Sequence, residues 1–214
     1  GNFNPSTAGV GSHSITYVFT DGNSCTDSAS QNQVVDSLPI VNFASLNDIC
    51  LNGSPFSLTQ GSPSGGTYSG TGVSSAIFHP GVSGAGTFSL SYSYTDGNSC
   101  SASSSTNITV DTLPLVTFAA ISDFCAGDNS TGLTQASPSG GTYFGSGVTA
   151  GNFDPSSVGA GSYTLSYYFT DANSCRDTAA QSVTVNPQPT VSFASLTDVC
   201  VDASSFVLSG GSPS

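Results

Sequence analysis

Six cysteines are the residues of this 214-residue chain whose type and spacing point most directly to chemistry. The intervals between them alternate between 25 and 50 residues. None belongs to a CxxC pair and the chain has two histidines, His13 and His79, so the pattern does not fit a zinc site. Paired cysteines in small β-rich domains are typical of oxidising, extracytoplasmic compartments. We therefore expect disulfide bonds rather than metal ligation, at Cys25, Cys50, Cys100, Cys125, Cys175 and Cys200.

The cysteines allow three pairing schemes, and we take pairing within a unit as the leading expectation. Residues 44–55 form a long connection that could bring Cys50 towards Cys100, and a bridge of that loop length would contribute about 4 kcal/mol. Standard sandwich topology instead puts these two positions at opposite poles, which favours a bond from one unit to the next. The first scheme gives Cys50–Cys100 and Cys125–Cys175, with Cys25 and Cys200 paired outside this stretch. The second gives Cys25–Cys50, Cys100–Cys125 and Cys175–Cys200, and the third gives Cys50–Cys175.

Three of the cysteines end a recurrent hexapeptide, which reads TDGNSC at 20–25 and 95–100 and TDANSC at 170–175. Its Asp and Asn oxygens are of the type that binds calcium, but such a site needs six to eight ligands. An Asx-turn is the better interpretation, with Gly22 and Gly97 at positive φ, although Ala172 replaces that glycine in the third copy. The calcium alternative would use Asp21, Asn23, Asp96, Asn98, Asp171 and Asn173.

Neither histidine recurs at its equivalent positions, as is typical of variable surface sites. His13 aligns with aromatic residues and His79 with Asn4 and Asp154. No GxSxG, HExxH or P-loop spacing occurs, and the glycine-rich SPSGGTYSGTG stretch has no lysine and no following helix. We expect no catalytic site, no metal and no cofactor.

The charge balance is strongly acidic, with a formal net charge of −12 and Arg176 as the single Lys/Arg residue. Binding to nucleic acid or to an anionic membrane surface needs clustered Lys and Arg, so neither partner is expected. No apolar run is long enough to span a bilayer, so no membrane insertion is expected. With 25 Gly, 11 Pro, no Met and abundant Ser, Thr, Val, Tyr and Phe, the composition predicts an all-β protein.

The chain matches itself without a gap at an offset of 75 residues. DSLPIVNFASLNDIC (36–50) corresponds to DTLPLVTFAAISDFC (111–125) and NPQPTVSFASLTDVC (186–200). A fixed period of this length indicates tandem domains, each with its own core. Short proline-containing junctions place the boundaries, because proline suits a semi-rigid linker. We predict the end of one repeat at 1–37, complete repeats at 38–112 and 113–187, and the start of another at 188–214.

Each repeat contains one strand that is readable from alternation. Phe88, Leu90, Tyr92 and Tyr94 alternate with Ser and Thr, a pattern that buries one face of a strand. Further short strands are expected at 41–43, 56–58, 66–68, 76–78 and 107–110. Six or seven short strands in about 75 residues predict a small Ig-like antiparallel β-sandwich.

The recurring string LPxVxF…DxC…SPSGGTYxGxGV…FxP…YxxTDxNSC resembles the Ig-like and PKD-like repeats of giant secreted proteins of Bacteroidota. These include adhesins associated with gliding motility and exported by the type IX secretion system. The resemblance covers every copy. It implies an extracellular array attached to the outer membrane that forms an adhesive region, a stiff stalk or a filament shaft. The implied partners are neighbouring repeats, identical chains in a filament and surface glycans.

Two alternative functions stay open at this stage, and one modification motif recurs. The chain could be a multivalent glycan-binding module, with Tyr68 and Tyr143 as the obvious exposed aromatics, or accessory repeats of a secreted hydrolase. Asp-Ser/Thr followed by a small or aliphatic residue is similar to the O-glycosylation motif of Bacteroidota. It would place sugars on Ser28, Ser37, Thr112 and Thr178.

Overall fold

The computed structural model describes residues 1–213; Ser214, the last residue of the predicted fourth segment, lies outside them. Contacts within the chain divide it into two compact units, Gly1–Thr112 and Leu113–Ser214. This division falls at the predicted junction between the two complete repeats, whereas the boundaries near 38 and 188 stay predictions. Each unit contains one complete repeat with its own buried cluster of apolar side chains.

Residues 1–37 form a helical turn and a two-stranded antiparallel hairpin. The hairpin is in register over ten residue pairs, from Gly11 opposite Val35 to Thr20 opposite Thr26. Both strands are long because neither is interrupted by proline or by an internal glycine. The elements are α1 (Pro5–Ala8), β1 (Gly11–Thr20) and β2 (Thr26–Val35).

The first complete repeat is built around the same hairpin, here covered by further strands. Its largest sheet has the order β4-β11-β10-β7, in which β4 pairs parallel to the end of β11 and the other pairs are antiparallel. A two-stranded pair, β3-β6, and a three-stranded sheet, β5-β9-β8, complete the repeat. The elements are β3 (Asn42–Phe43), β4 (Ile49–Cys50), β5 (Phe56–Ser57), β6 (Gly61–Ser62), β7 (Thr67–Ser69), β8 (Val73–Ser74), β9 (Ile77–Phe78), α2 (Pro80–Ser83), β10 (Gly86–Thr95) and β11 (Ser101–Asp111).

The alternation predicted for the long strand is confirmed by burial. Leu90 and Tyr92 are fully buried, Ser91 between them is half-buried, and Ser89 and Ser93 on either side are exposed. A strand whose inward residues are apolar removes them from water while its hydroxyl-bearing face stays solvated. The core comprises Phe43, Leu58, Phe78, Leu90, Tyr92, Ile108 and Val110.

The second complete repeat has the same topology, with the sheet order β13-β20-β19-β16. Its core comprises Phe118, Leu133, Phe153, Leu165, Tyr167, Val183 and Val185, each at the position equivalent to a core residue of the first complete repeat. The elements are β12 (Thr117–Phe118), β13 (Phe124–Cys125), β14 (Thr131–Gly132), β15 (Ala136–Ser137), β16 (Thr142–Phe144), β17 (Val148–Thr149), β18 (Asn152–Phe153), α3 (Pro155–Val158), β19 (Gly161–Thr170) and β20 (Arg176–Asn186).

Residues 188–213 contain one antiparallel pair, β21 (Val191–Phe193) with β22 (Gly211–Pro213). Phe193 lies opposite Gly211, as Phe118 lies opposite Ala136 in the second complete repeat. The segment therefore already has the local pairing with which each complete repeat begins.

These elements confirm the predicted all-β fold of small sandwich domains. The one-turn helices were not expected from the sequence; each begins at the proline of the FxP motif, whose fixed φ favours the first helical position. None of the helices within residues 1–213 is long and apolar enough to cross a membrane.

A buried tyrosine fixes the SPSGG loop of each complete repeat. Tyr92 Oη accepts a hydrogen bond from the Gly66 amide at 2.7 Å and donates to the Pro63 carbonyl. Tyr167 makes the same two bonds with Gly141 and Pro138. A buried hydroxyl that both accepts and donates satisfies two loop backbone groups that would otherwise be costly to desolvate.

Candidate functional site

The Asp residues of the recurrent hexapeptide are used by the turn itself. Asp21 Oδ1 accepts hydrogen bonds from the amides of Asn23 and Cys25 at 2.8 and 2.9 Å. Asp96 and Asp171 accept the equivalent pairs at 2.9 Å. The predicted Asx-turn is thus present in all three copies. Within residues 1–213, no group of three or more His, Cys, Asp or Glu side chains is placed to hold a metal ion.

The expected conformation of the turn glycines is wrong. The residues at positive φ are Ser24, Ser99 and Ser174, at 67°, 65° and 66°, and neither Gly22 nor Gly97 is among them. The turn closes with a bond from the Ser24 amide to the Asp21 carbonyl, followed by a left-handed residue, as in three-residue hairpin loops. This explains why Ala172 is accepted where the other copies have glycine.

The two cysteines of one repeat lie at opposite ends of the same strand. Cys100 immediately precedes β11, whereas Cys50 in β4 lies opposite Asp111, at the far end of β11. A strand of this length spans about 35 Å, and a disulfide requires Cα atoms within about 7 Å of each other. The second complete repeat repeats the arrangement, with Cys125 opposite Asn186.

The expected intradomain bridges, Cys50–Cys100 and Cys125–Cys175, are therefore corrected by this geometry. Cys50 and Cys175 are disulfide-bonded, whereas Cys25, Cys100, Cys125 and Cys200 are free thiols. The bridges across the linkers need those same thiols.

The Cys100 thiol has a raised pKa. Partial burial has the largest effect on this pKa, and the nearby carboxylates of Asp96 and Asp36 raise it further because they disfavour a second negative charge. A raised pKa favours the thiol form of Cys100 over the nucleophilic thiolate.

The four candidate glycosylation residues, Ser28, Ser37, Thr112 and Thr178, are all exposed. The carboxylates of Asp27 and Asp177 each accept a hydrogen bond from the following amide, at 2.8 Å. Sugar attachment at these hydroxyls stays a prediction.

The two tyrosines expected to contact glycans are part of the structural framework instead. Tyr68 Oη accepts a hydrogen bond from the Gly61 amide at 2.7 Å, and its ring packs edge-on against Phe43. Tyr143 makes the equivalent contacts with Ala136 and Phe118. Both side chains are half-buried, because their rings cover the core next to the tyrosine that fixes the loop.

An aromatic cluster on the outward face of β16 and β19, which we call the outer aromatic patch, combines the exposed Phe144 with the half-buried Tyr168. The rings of Phe144 and Tyr168 are 6.0 Å apart, and the Arg176 guanidinium lies 3.6 Å above the Tyr168 ring. The 75-residue alignment puts serine at all three positions in the first complete repeat. That departure was a usable sequence signal, but only strand pairing shows that the three positions are adjacent.

The chain matches no family model and no curated protein. A solved structure described as a "Ca2+-stabilized adhesin" that "helps an Antarctic bacterium reach out and bind ice" aligns at 11% identity with a TM-score of 0.35. The alignment covers 84% of this chain and 59% of that one.

Proposed function

We propose that the chain is a structural and adhesive repeat region of a large extracellular surface protein. The observation that carries the proposal is the repetition of one complete sandwich at a period of 75 residues, with the same register and the same tyrosine-fixed loop. Repeats that share a structural framework and no recurrent reactive site are suited to extending a protein and to presenting its surface. The disulfide-bonded Cys50 and Cys175 support an oxidising, extracytoplasmic location.

The proposed array is of the Ig-like and PKD-like type found in gliding-motility-associated proteins of Bacteroidota and is attached to the outer membrane. Its partners are neighbouring repeats, and we expect neither a nucleic-acid partner nor a catalytic role. The Asp side chains of the alternative calcium site, Asp21, Asp96 and Asp171, accept backbone hydrogen bonds in their turns. Accessory repeats of a secreted hydrolase would need a catalytic domain elsewhere in the protein.

Small-angle X-ray scattering on chains extended by whole 75-residue repeats tests the stalk. A stiff array predicts that the maximum dimension grows by about 30–40 Å for each added repeat. Growth with the square root of repeat number, as for freely jointed beads, would reject stiffness. Chains with extra Gly-Ser residues at the 112/113 junction provide the matched flexible control.

Glycan binding is a second candidate, favoured by the outer aromatic patch. Phe144 is 42% exposed, and its neighbour Tyr168 lies opposite Thr142 on one side and Thr178 on the other. Exposed rings flanked by hydroxyls are suited to stacking on a sugar ring with a few hydrogen bonds at its rim. This candidate predicts that a glycan array retains ligands with the parent chain and loses them when Phe144 and Tyr168 are changed to Ser. Equal retention by the two proteins would reject it.

A further inference from the structure

A cleft of about 370 Å³ opens on the surface of the first complete repeat, between residues 45–49 and 54–60. This volume lies at the lower end of the range of small-molecule sites. The apolar wall of the cleft is formed by Leu46, Ile49 and Phe56, which are half-buried and pack on the core of the repeat. Every residue that lines the cleft belongs to this one complete repeat, so the cleft is a property of the repeat itself.

The segments on both sides of the cleft are held by hydrogen bonds within the repeat. Asp48 Oδ1 accepts a bond from the Thr109 amide at 3.0 Å, near the end of β11. The turn that follows β4 closes with a bond from the Gly53 amide to the Cys50 carbonyl at 2.8 Å. A Cβ on Gly53 would lie 2.6 Å from Ile49 Cγ1, so this turn packs directly on the apolar wall. These contacts give the cleft a defined shape without a ligand.

Five polar side chains also line the cleft. They are one carboxylate, two amides and two hydroxyls, from Asp48, Asn47, Gln60, Ser45 and Ser54. Asp48 uses Oδ1 for the Thr109 amide, and Gln60 uses Oε1 for the Thr59 amide at 2.8 Å. Within residues 1–213, Asp48 Oδ2 and Gln60 Nε2 bond to no other protein group. The cleft therefore offers a ligand an acceptor that carries charge and several neutral donors and acceptors.

The charges around the cleft favour a cationic ligand. Asp48 is the one charged residue among those that line the cleft, and residues 1–112 contain no Lys or Arg. An anionic ligand would meet this carboxylate without a compensating cation, in a protein of formal net charge −12. An ammonium group is attracted by the same field, and the Phe56 ring adds to this attraction if the ammonium lies over its face.

The neutral polar groups distinguish between two sources of an ammonium group. A lysine side chain would fill the cleft with methylene groups and leave the amides and hydroxyls without partners, which is costly. A hexosamine ring carries one ammonium group together with several hydroxyls. We propose that the cleft binds a hexosamine unit with a free amino group, its ammonium on Asp48, its ring against Phe56 and its hydroxyls on Asn47 and Gln60. The site is separate from the outer aromatic patch and does not depend on whether that patch binds glycans.

The second complete repeat keeps the aspartate but not its surroundings. Asp123 Oδ1 accepts a hydrogen bond from the Thr184 amide at 3.2 Å, as Asp48 does from the Thr109 amide. The residues equivalent to Phe56, Ser45 and Asn47 are Thr131, Ala120 and Ser122. Asp123 is therefore a matched control for Asp48, because it has the same structural bond without the same set of neighbours.

Titration of the isotope-labelled 214-residue chain with three sugars, followed by NMR, tests the proposal. Glucosamine, N-acetylglucosamine and glucose share one ring and differ at carbon 2, where glucosamine alone carries a charge. Glucosamine should shift the amide signals of residues 45–49 and 54–60. It should bind about tenfold more tightly than the two neutral sugars, because hydrogen bonds between charged groups are the stronger ones. Added salt should weaken its binding.

Two substitutions separate the charge from the ring. Asp48→Asn keeps the oxygen that accepts from the Thr109 amide and removes the charge, so glucosamine should bind about tenfold more weakly. Asp123→Asn makes the same change in the second repeat and should leave the affinity unchanged. Phe56→Leu keeps apolar bulk and removes the ring, which should weaken glucosamine binding by about threefold to tenfold. Unchanged amide signals in the second repeat show that the Asp48 and Phe56 variants keep the fold of the rest of the chain.

Four outcomes overturn the proposal. They are glucosamine that shifts no amide of the cleft, glucose that binds as tightly as glucosamine, Asp123→Asn that loses as much affinity as Asp48→Asn, and Nα-acetyl-lysine amide that binds as tightly as glucosamine. The last probe supplies an ammonium group without ring hydroxyls. A chain with Phe144 and Tyr168 changed to Ser should bind glucosamine as the parent does, and a loss of glucosamine binding there would also overturn the assignment to this cleft.

Discussion

The two complete repeats fill the same space in their cores from different positions of the chain. In the first, Phe56 packs against Phe78 with ring centroids 5.7 Å apart, and Ile49 lies nearby in the same cluster. In the second, the residue equivalent to Phe56 is the exposed Thr131, and Phe124, equivalent to Ile49, packs against Phe153 at 5.3 Å. Both repeats keep the aromatic contact, but the residue that makes it lies in β5 in the first repeat and in β13 in the second. The repeat therefore specifies a packed volume rather than a residue at each position.

The outward faces of the two repeats also differ, but here no substitution elsewhere on the face compensates for the exchanged side chains. Ser69, Ser93 and Ser101 of the first repeat become Phe144, Tyr168 and Arg176 in the second. Core exchanges are constrained by packing, whereas a cluster of exposed exchanges on paired strands has no such cause. The core residues thus differ in ways that preserve the fold, whereas the outward-facing residues differ in what each repeat presents to its surroundings.

The glycine that contacts the buried tyrosine, Gly66 or Gly141, should be the position common to both repeats at which a substitution lowers stability most. A Cβ on Gly141 would lie 2.1 Å from the Tyr168 carbonyl oxygen and 2.5 Å from Tyr167 Oη. Because backbone cannot yield as a side chain can, we expect Gly141→Ala to destabilise the second repeat by about 3 kcal/mol. Hydrogen exchange of the β19 and β20 amides measures the loss, with β10 and β11 in the same chain as an internal reference.

Gly97→Ala is the matched control for this glycine. Nothing lies within 4 Å of its Cβ position, and the third copy of the turn already has alanine there. Its effect should be within about 0.5 kcal/mol. Equal losses for the two variants would mean that close approach at Gly141 is not the cause.

Removing the tyrosine hydroxyl should cost less than the glycine clash and should cost the same in both repeats. Tyr167→Phe leaves the Gly141 amide and the Pro138 carbonyl without their partner, at a cost of about 2 kcal/mol. Tyr92→Phe removes the equivalent bonds in the first repeat. Urea unfolding followed by repeat-resolved hydrogen exchange gives both values in one background. A loss confined to one repeat would show that the loops are held by different means.

The compensated aromatic exchange can be tested by a double-mutant cycle. Phe124→Ile installs the first repeat's residue in the second and should cost about 1.5 kcal/mol through the lost contact with Phe153. Adding Thr131→Phe supplies the ring from the first repeat's position and should return stability to within about 0.5 kcal/mol of the parent. Thermal unfolding of the four chains measures the coupling. Additive effects would mean that the two positions do not share one volume.

How much of this structure could be predicted depends on whether a feature is local. The long strand was predictable because Leu90 and Tyr92 alternate with hydroxyl residues, and the Asx-turn because Asp96 bonds to amides two and four residues ahead. The position of Cys50 was not predictable, since it depends on a two-residue parallel pairing with the end of β11 that no local pattern encodes. The prediction of intradomain disulfides was wrong for that reason. The outer aromatic patch was hidden similarly, because its residues become neighbours only through strand register.

The smallest expected effect concerns the one-turn helix that follows the FxP motif. Asp154 caps α3 by accepting a hydrogen bond from the Ser156 amide at 3.0 Å, and Asn4 caps α1 in the same way at 3.1 Å. His79 takes this position before α2 and makes no side-chain cap. His79→Asp should therefore stabilise the first complete repeat by about 0.5–1 kcal/mol, which is the usual value of an N-cap.

The reverse exchange, Asp154→His, serves as the matched partner because it should destabilise the second repeat by a similar amount. Thermal unfolding with hydrogen exchange in β10 and β19 assigns each change to its repeat. If both variants proved neutral, the cap would contribute nothing in so short a helix, and the proline at the first helical position would suffice to form the turn. If the gain and the loss match, the side-chain cap alone accounts for the difference in stability between the two repeats at this point, whereas the exchange at Phe56 and Phe124 is compensated.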